Sequence, residues 1–185
     1  MRVRLLGLQG AFLDHIPHLE ALNAGWKVVR TSEDLPEVDR LILPGGESTV
    51  MARFLAAFGM IDPLVARIRA GMPVWGICAG SILLAETVDG RPGVLAALPA
   101  AVKRNAYGRQ LASATRPISV PQLDRPAFSA MFIRAPRFES LGTGVEVLAR
   151  SGPDPVCVRY GTVLATTFHP ELTRDPVFHE FFIGL

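Results

Sequence analysis

The first half of the chain alternates two kinds of apolar pattern. Short, nearly continuous apolar runs at 3–8, 27–30, 40–43 and 73–78 have the length and flanking residues of strands. Between them lie segments with apolar residues three and four apart: 12–24 (Phe12, Ile16, Leu19, Leu22), 49–58, 63–70 and 81–86. That spacing predicts helices, and Gly25 is placed to cap the first of them. Strands alternating with helices predict a mainly parallel sheet covered on both faces. The pattern changes over 94–168, where short β-like runs at 118–120, 131–133, 145–149, 156–160 and 162–168 are separated by turn residues. These predict an added antiparallel region. Residues 170–172 turn away and 177–185 form a final helix. No internal repeat or low-complexity linker interrupts 1–185, which is expected to be one domain.

Composition narrows this picture. The chain has 185 residues, 49% of them hydrophobic, and a formal charge of +2. All the basic residues except Lys27 and Lys103 are arginine, and no block of like charge marks a nucleic-acid tail. No apolar run approaches the ~18 residues of a membrane span, and the N-terminus reads as a strand and not a signal peptide. No metal or cofactor motif is evident. The two cysteines, Cys78 and Cys157, fit free thiols in a reducing compartment, so a cytoplasmic location is expected.

The candidate chemistry centres on Gly76-Ile77-Cys78-Ala79-Gly80, which ends a strand and starts a helix. A lone cysteine is usually a small buried hydrophobe, and Cys157 is read that way. The strand-to-helix setting with glycines on both sides makes Cys78 a nucleophile elbow. The glycines allow the tight turn, the helix N-terminus behind Cys78 favours negative charge, and the Ala79 N–H is placed to meet an oxyanion. A cysteine nucleophile needs a base and a group to hold that base. His15 and His18 flank Pro17 on the first helix and read as surface or partner-facing, and His179 lies on the last helix. His169 instead ends an apolar strand, and Glu171 two residues later can fold back to accept from its ring. Gly45 and Gly46, after the third strand, let a bare peptide present a second N–H to an oxyanion. Ser48 or Thr49 is expected to cap the following helix.

Together with Leu6–Ala11, Leu43–Thr49, Arg104–Gln110 and Phe132–Pro136, these motifs resemble the class I (triad) glutamine amidotransferases. The nearest resemblance within them is to the glutaminase subunits of pyridoxal 5′-phosphate synthase. The resemblance implies a three-layer, flavodoxin-like α/β fold. It implies that Cys78, His169 and Glu171 hydrolyse L-glutamine through a γ-glutamyl thioester. It places Gly45, Gly46 and Ala79 at the oxyanion, and Gly46, Glu47, Ser48, Arg104, Ile133 and Arg134 at the glutamine. The partner it implies is a (β/α)₈ barrel synthase subunit, which takes the ammonia for vitamin B6 synthesis and is met at Gln9 and Gly10. The glutaminase holds no cofactor and is nearly silent until docked, which points to an oxyanion loop at Gly45-Gly46 that reorients on docking.

The sequence departs from the family at Ile77, where Thr is usual, at Trp75, where Phe is common, and in a short last helix that implies an altered subunit contact. A glutaminase serving another ammonia-using pathway, a cysteine peptidase-like protein on a related fold, and an inactive regulatory subunit are the alternatives. The segments around Arg104 and Arg134 argue against the first, His169-Pro170-Glu171 with Gly45-Gly46 against the second, and the complete triad against the third.

Overall fold

The structure, a computed structural model, describes residues 2–106 and 113–185. Residues 107–110 of the Arg104–Gln110 motif therefore lie outside it. The first half contains β1 (Arg2–Leu6), α1 (Ile16–Ala21), β2 (Gly25–Val29), β3 (Arg40–Leu43), α2 (Ser48–Ala57), α3 (Ile61–Arg69), β4 (Val74–Ile77) and α4 (Ala79–Leu84). The second half contains β5 (Ala85–Val88), β6 (Arg91–Pro92), β7 (Leu98–Lys103), β8 (Ser113–Val120), β9 (Arg125–Ile133), β10 (Arg137–Leu141), β11 (Glu146–Ser151), β12 (Asp154–Tyr160), β13 (Val163–Thr166) and α5 (Val177–Ile183).

Nine strands form the main sheet in the order β2-β1-β3-β4-β13-β12-β11-β8-β9. The first five are parallel and the rest antiparallel. Side chains along each strand alternate between the two faces. Leu41, Leu43 and Val74 join one buried cluster, with Met51 and Leu55 of α2, Leu64 and Ile68 of α3, and Leu83 of α4. Ile42, Trp75 and Ile77 join the opposite cluster, with Leu19 of α1 and Phe178 and Phe182 of α5. Ile77 thus faces the α1/α5 side, in the same buried cluster as Cys78.

Several boundaries differ from expectation, each for a physical reason. The helix expected over 12–24 is a 3₁₀ turn, Phe12–His15, followed by the short α1. Pro17 sits in the first turn of α1, where its missing N–H costs least. Asn23, not Gly25, ends this helix. It is left-handed at φ 52°, and Asn23 and Ala24 donate to the Glu20 and Leu19 carbonyls in a Schellman arrangement. Gly25 instead opens β2. The helix after the elbow begins at Ala79, not Ser81, and gives way to a strand at Ala85. That strand belongs to a second sheet, β10-β7-β5-β6, not foreseen from local pattern. Its inward residues Leu98, Ala100 and Val102 pack into the α2/α3/α4 cluster.

The order β2-β1-β3-β4 runs outward from β1 in both directions. The chain therefore diverges between β1 and β3, and ligands in open α/β sheets bind at the carboxyl ends beside such a point. Gln9-Gly10 follow β1, Gly45-Gly46 follow β3, Cys78 follows β4 and His169 follows β13. These four strands are neighbours in the sheet.

Candidate active site

Cys78 has φ 49° and ψ −96°, a conformation L-residues rarely adopt. Backbone bonds hold it there. Its N–H donates to the Thr166 carbonyl at 2.8 Å, and its own carbonyl accepts from Ile82 at 3.2 Å. Ser81 Oγ bridges the Gly76 and Thr166 carbonyls at 2.8 and 2.7 Å. A Cβ on Gly76 would lie 2.6 Å from the Gly80 carbonyl carbon, and one on Gly80 would run into the Leu43 carbonyl. The two glycines therefore let α4 turn directly off β4.

His169 ends β13's approach to the site, with its N–H on the Met131 carbonyl at 2.8 Å. Its Nδ1 lies 2.7 Å from Oε1 of Glu171, whose side chain is fully buried in the 3₁₀ turn Pro170–Leu172. Nε2 is buried and has no hydrogen-bond partner among the described residues. Burial alone pulls the imidazole pKa down, but the nearby Cys78 and the Glu171 carboxylate outweigh it and raise the pKa to about 10. One ring nitrogen is thus fixed by a carboxylate while the other is available on the cysteine side, the arrangement a nucleophile–base–orienting acid series requires.

Gly45 packs against the His169 ring. Its carbonyl accepts from Ala11 N–H at 2.9 Å, and Gln9 Oε1 accepts from Glu47 N–H at 2.8 Å. Gln9 and Ala11 therefore tie the Gly45–Glu47 loop directly, with Gly10 packed against Gly45. Glu47, not Ser48 or Thr49, caps α2, because its longer side chain reaches back to Thr49 N–H at 3.0 Å.

These groups line a cleft of about 590 Å³ together with Ser48, Arg104, Ile133 and Arg134. Arg104 is oriented by Asp89, which accepts from its Nε at 2.6 Å and its N–H at 3.0 Å, and by Thr49 Oγ1 at 3.3 Å. The Arg104 guanidinium holds the Asp89 carboxyl below its usual pKa. Arg134, left-handed at φ 45°, donates to Asn105 Oδ1 at 3.4 Å. The Ile133 carbonyl lies 3.9 Å from Cys78 Sγ. Of the residues singled out from sequence, only Glu171, Gly10 and Ala79 do not line the cleft; they lie behind His169, under Gly45 and inside the elbow. Asp14, Thr49, Ile82, Asn105 and Leu172 also line it. Adjacency to Arg104 and Glu171 was the sequence signal for Asn105 and Leu172, and Asp14 had none.

His15, His18 and His179 are buried, contrary to the surface reading of the first two. Burial, then the charges of His18 and His169, lower the His15 pKa to about 3. Burial, then His15 and His18, lower that of His179 further still. Both rings are therefore neutral when folded but protonate when unfolded near 6.5. Below pH 6.5 the unfolded chain binds more protons, so stability is lost as pH falls from there, by about 1.4 kcal/mol per unit for each histidine. His169 acts in the opposite sense: its raised pKa contributes stability present below 6.5 and lost as pH rises toward 10. Thermal melts from pH 4 to 9 are expected to peak near pH 6.5. A melting temperature unchanged between pH 6.5 and 4 would contradict the neutral buried pair.

A family model described as the SNO glutamine amidotransferase family matches residues 5–185. A protein from Parafrankia sp. (strain EAN1pec), described as pyridoxal 5′-phosphate synthase subunit PdxT, is 48% identical over 100% of this chain and 92% of its own. One of the same description from Herpetosiphon aurantiacus is 45% identical, with both chains covered completely. A crystal structure described as a glutamine amidotransferase superposes with a TM-score of 0.91 at 44% identity, covering 98% of this chain and 97% of that one. The structure of PurLQS from Thermotoga maritima, 18% identical, shares the fold with a TM-score of 0.74 over 99% of this chain and 97% of that one. The match along nearly the whole length, with the cleft geometry behind it, places this chain in the SNO glutamine amidotransferase family.

Proposed function

We propose that the chain hydrolyses L-glutamine to L-glutamate and ammonia, with Cys78 as nucleophile, His169 as general base and acid, and Glu171 holding His169. The carrying observation is the alignment of the Cys78 elbow with the His169–Glu171 pair beneath the Gly45-Gly46 loop. Nε2 of His169 takes the thiol proton, and Sγ attacks the carboxamide carbon. The tetrahedral oxyanion is met by N–H groups of Ala79 and the Gly45-Gly46 loop. His169 returns its proton to the leaving nitrogen, ammonia departs, and a γ-glutamyl thioester remains. Water then adds to the thioester, giving a proton to His169 that finally restores the thiol as glutamate leaves. Gly46, Glu47, Ser48, Ile133 and the guanidinium groups of Arg104 and Arg134 hold the glutamine, an arginine fork suiting its α-carboxylate.

Relatives of this chain are described as subunits of pyridoxal 5′-phosphate synthase, so the ammonia passes to a synthase subunit, a (β/α)₈ barrel, for vitamin B6 synthesis. Gln9 and Gly10 form part of the contact. The bonds of Gln9 and Ala11 to the oxyanion loop give docking a route to the site, because moving either frees the Glu47 N–H or the Gly45 carbonyl. No single helix among the described residues is long and apolar enough to cross a membrane. Glutamine turnover is expected to be low for the chain alone and to rise when the synthase subunit is added. High turnover alone, unchanged by the partner, would remove the docking requirement. An identical Gly45-Gly46 conformation in free and docked crystals would count against reorientation of the loop on docking.

A further inference from the structure

We propose that His18 is a positioning residue for the triad, acting through the backbone carbonyl of Glu171. The proposal rests on the glutaminase reading above.

The Glu171 carboxylate orients His169, but little holds the carboxylate itself. Oε1 is bonded to His169, and Oε2 is buried without a partner among the described residues. Its position therefore follows from its backbone. That backbone is one 3₁₀ turn closed by Leu172 N–H to His169 O at 3.3 Å and Thr173 N–H to Pro170 O at 3.1 Å, and Pro170 has no N–H to add.

His18 supplies an anchor from a different element. Its Nε2 lies 3.1 Å from the Glu171 carbonyl in a buried bond. A carbonyl only accepts, so Nε2 carries the hydrogen. The His18 ring is fixed from behind. It stacks on His179 of α5 with centroids 4.2 Å apart and planes 9° from parallel. His179 Nε2 shares a 2.8 Å hydrogen bond with His15 Nδ1, and both of these rings stand edge-on to Trp75 of β4. The three histidines thus form a wall joining α1, α5 and the strand that carries the elbow. Among the described residues, its hydrogen bond toward the triad is the one from His18. The charged groups around His18 are Glu171, Asp14 from the turn before α1, and Arg174 and Asp175 from the segment before α5.

The test compares three variants of the full chain. His18→Phe keeps the stacked ring and removes the donor. His18→Gln puts an amide N–H near the position of Nε2, and His18→Asn puts it near Nδ1. Glutamine kcat and KM are measured with the synthase subunit present, and the rate of Cys78 alkylation by iodoacetamide is followed against pH in the free chain. His18→Phe is expected to lower kcat about tenfold, the low end for losing a group that orients a functional histidine, with KM unchanged. Its alkylation midpoint moves to higher pH, because a loosened Glu171 stabilises the His169 imidazolium less. His18→Asn behaves like Phe, and His18→Gln recovers both readouts. Wild-type kcat and midpoint in His18→Phe would overturn the proposal, as would equal losses in Phe and Gln. The alkylation profile needs no glutamine turnover, so it tests His18 even if the glutaminase reading fails.

Discussion

Replacing Cys78 by Ala is expected to abolish glutamine hydrolysis and leave the fold and the synthase contact intact. Without Sγ no thioester forms, and loss of a nucleophile that acts as one unit with its base lowers kcat by about 10⁵-fold or more. The fold survives because the elbow is held by main-chain bonds at Cys78 and by Ser81, not by the thiol. Alanine meets the same strain at φ 49° as cysteine does. Removing one small, mostly buried sulfur costs about 1 kcal/mol, a modest change in melting temperature. Turnover measured with saturating synthase, beside a pull-down of the two chains, separates the effects. Undiminished turnover in this variant would remove Cys78 as the nucleophile.

Gly45→Ala is expected to cost about 10²-fold in kcat, the scale of a 1 Å misplacement at a reacting centre. The added Cβ would collide with His169 Cε1 and lie 2.8 Å from Nδ1. His169 cannot simply step aside, since Nδ1 is tied to Glu171 and its N–H to Met131. In the undocked chain the loop is held as well, because the Gly45 carbonyl is bonded to Ala11 and Gly10 packs directly against it. Either the imidazole or the oxyanion loop must shift, and each is needed. Steady-state kinetics with the synthase present check this. Wild-type kcat would show that the loop has room the structure does not provide.

The parts of the site that could be read in the sequence are those whose geometry is local. Gly76, Cys78 and Gly80 specify the elbow within five residues, and His169 and Glu171 lie two apart in one turn. The parallel half of the sheet was legible for the same reason, as each strand there ends at a recognisable turn. What was not legible depends on distant partners. The pairing of β7 with β5 and β10 leaves no periodic trace, so the second sheet went unseen. Pro17 and the preceding 3₁₀ turn shortened α1 where the apolar spacing continued smoothly to Leu22. Single histidines carry no pattern, so the burial of His15 and His18 became visible only once α1 met α5. Glu47 displaced Ser48 and Thr49 as the cap, and Gln9, from the loop after β1, fixes the peptide before it.

The place of β13 between β4 and β12 has a consequence for the order of assembly. Cys78 leaves the ribosome long before His169, and the strand that delivers His169 pairs with β4 at the centre of the sheet, across a large sequence separation. Contacts of that kind form late, since loop closure must precede them. A growing or partly folded chain thus carries its thiol without a base. On the proposed mechanism, chemical competence comes only with closure of the central sheet, and incomplete chains are expected not to consume glutamine.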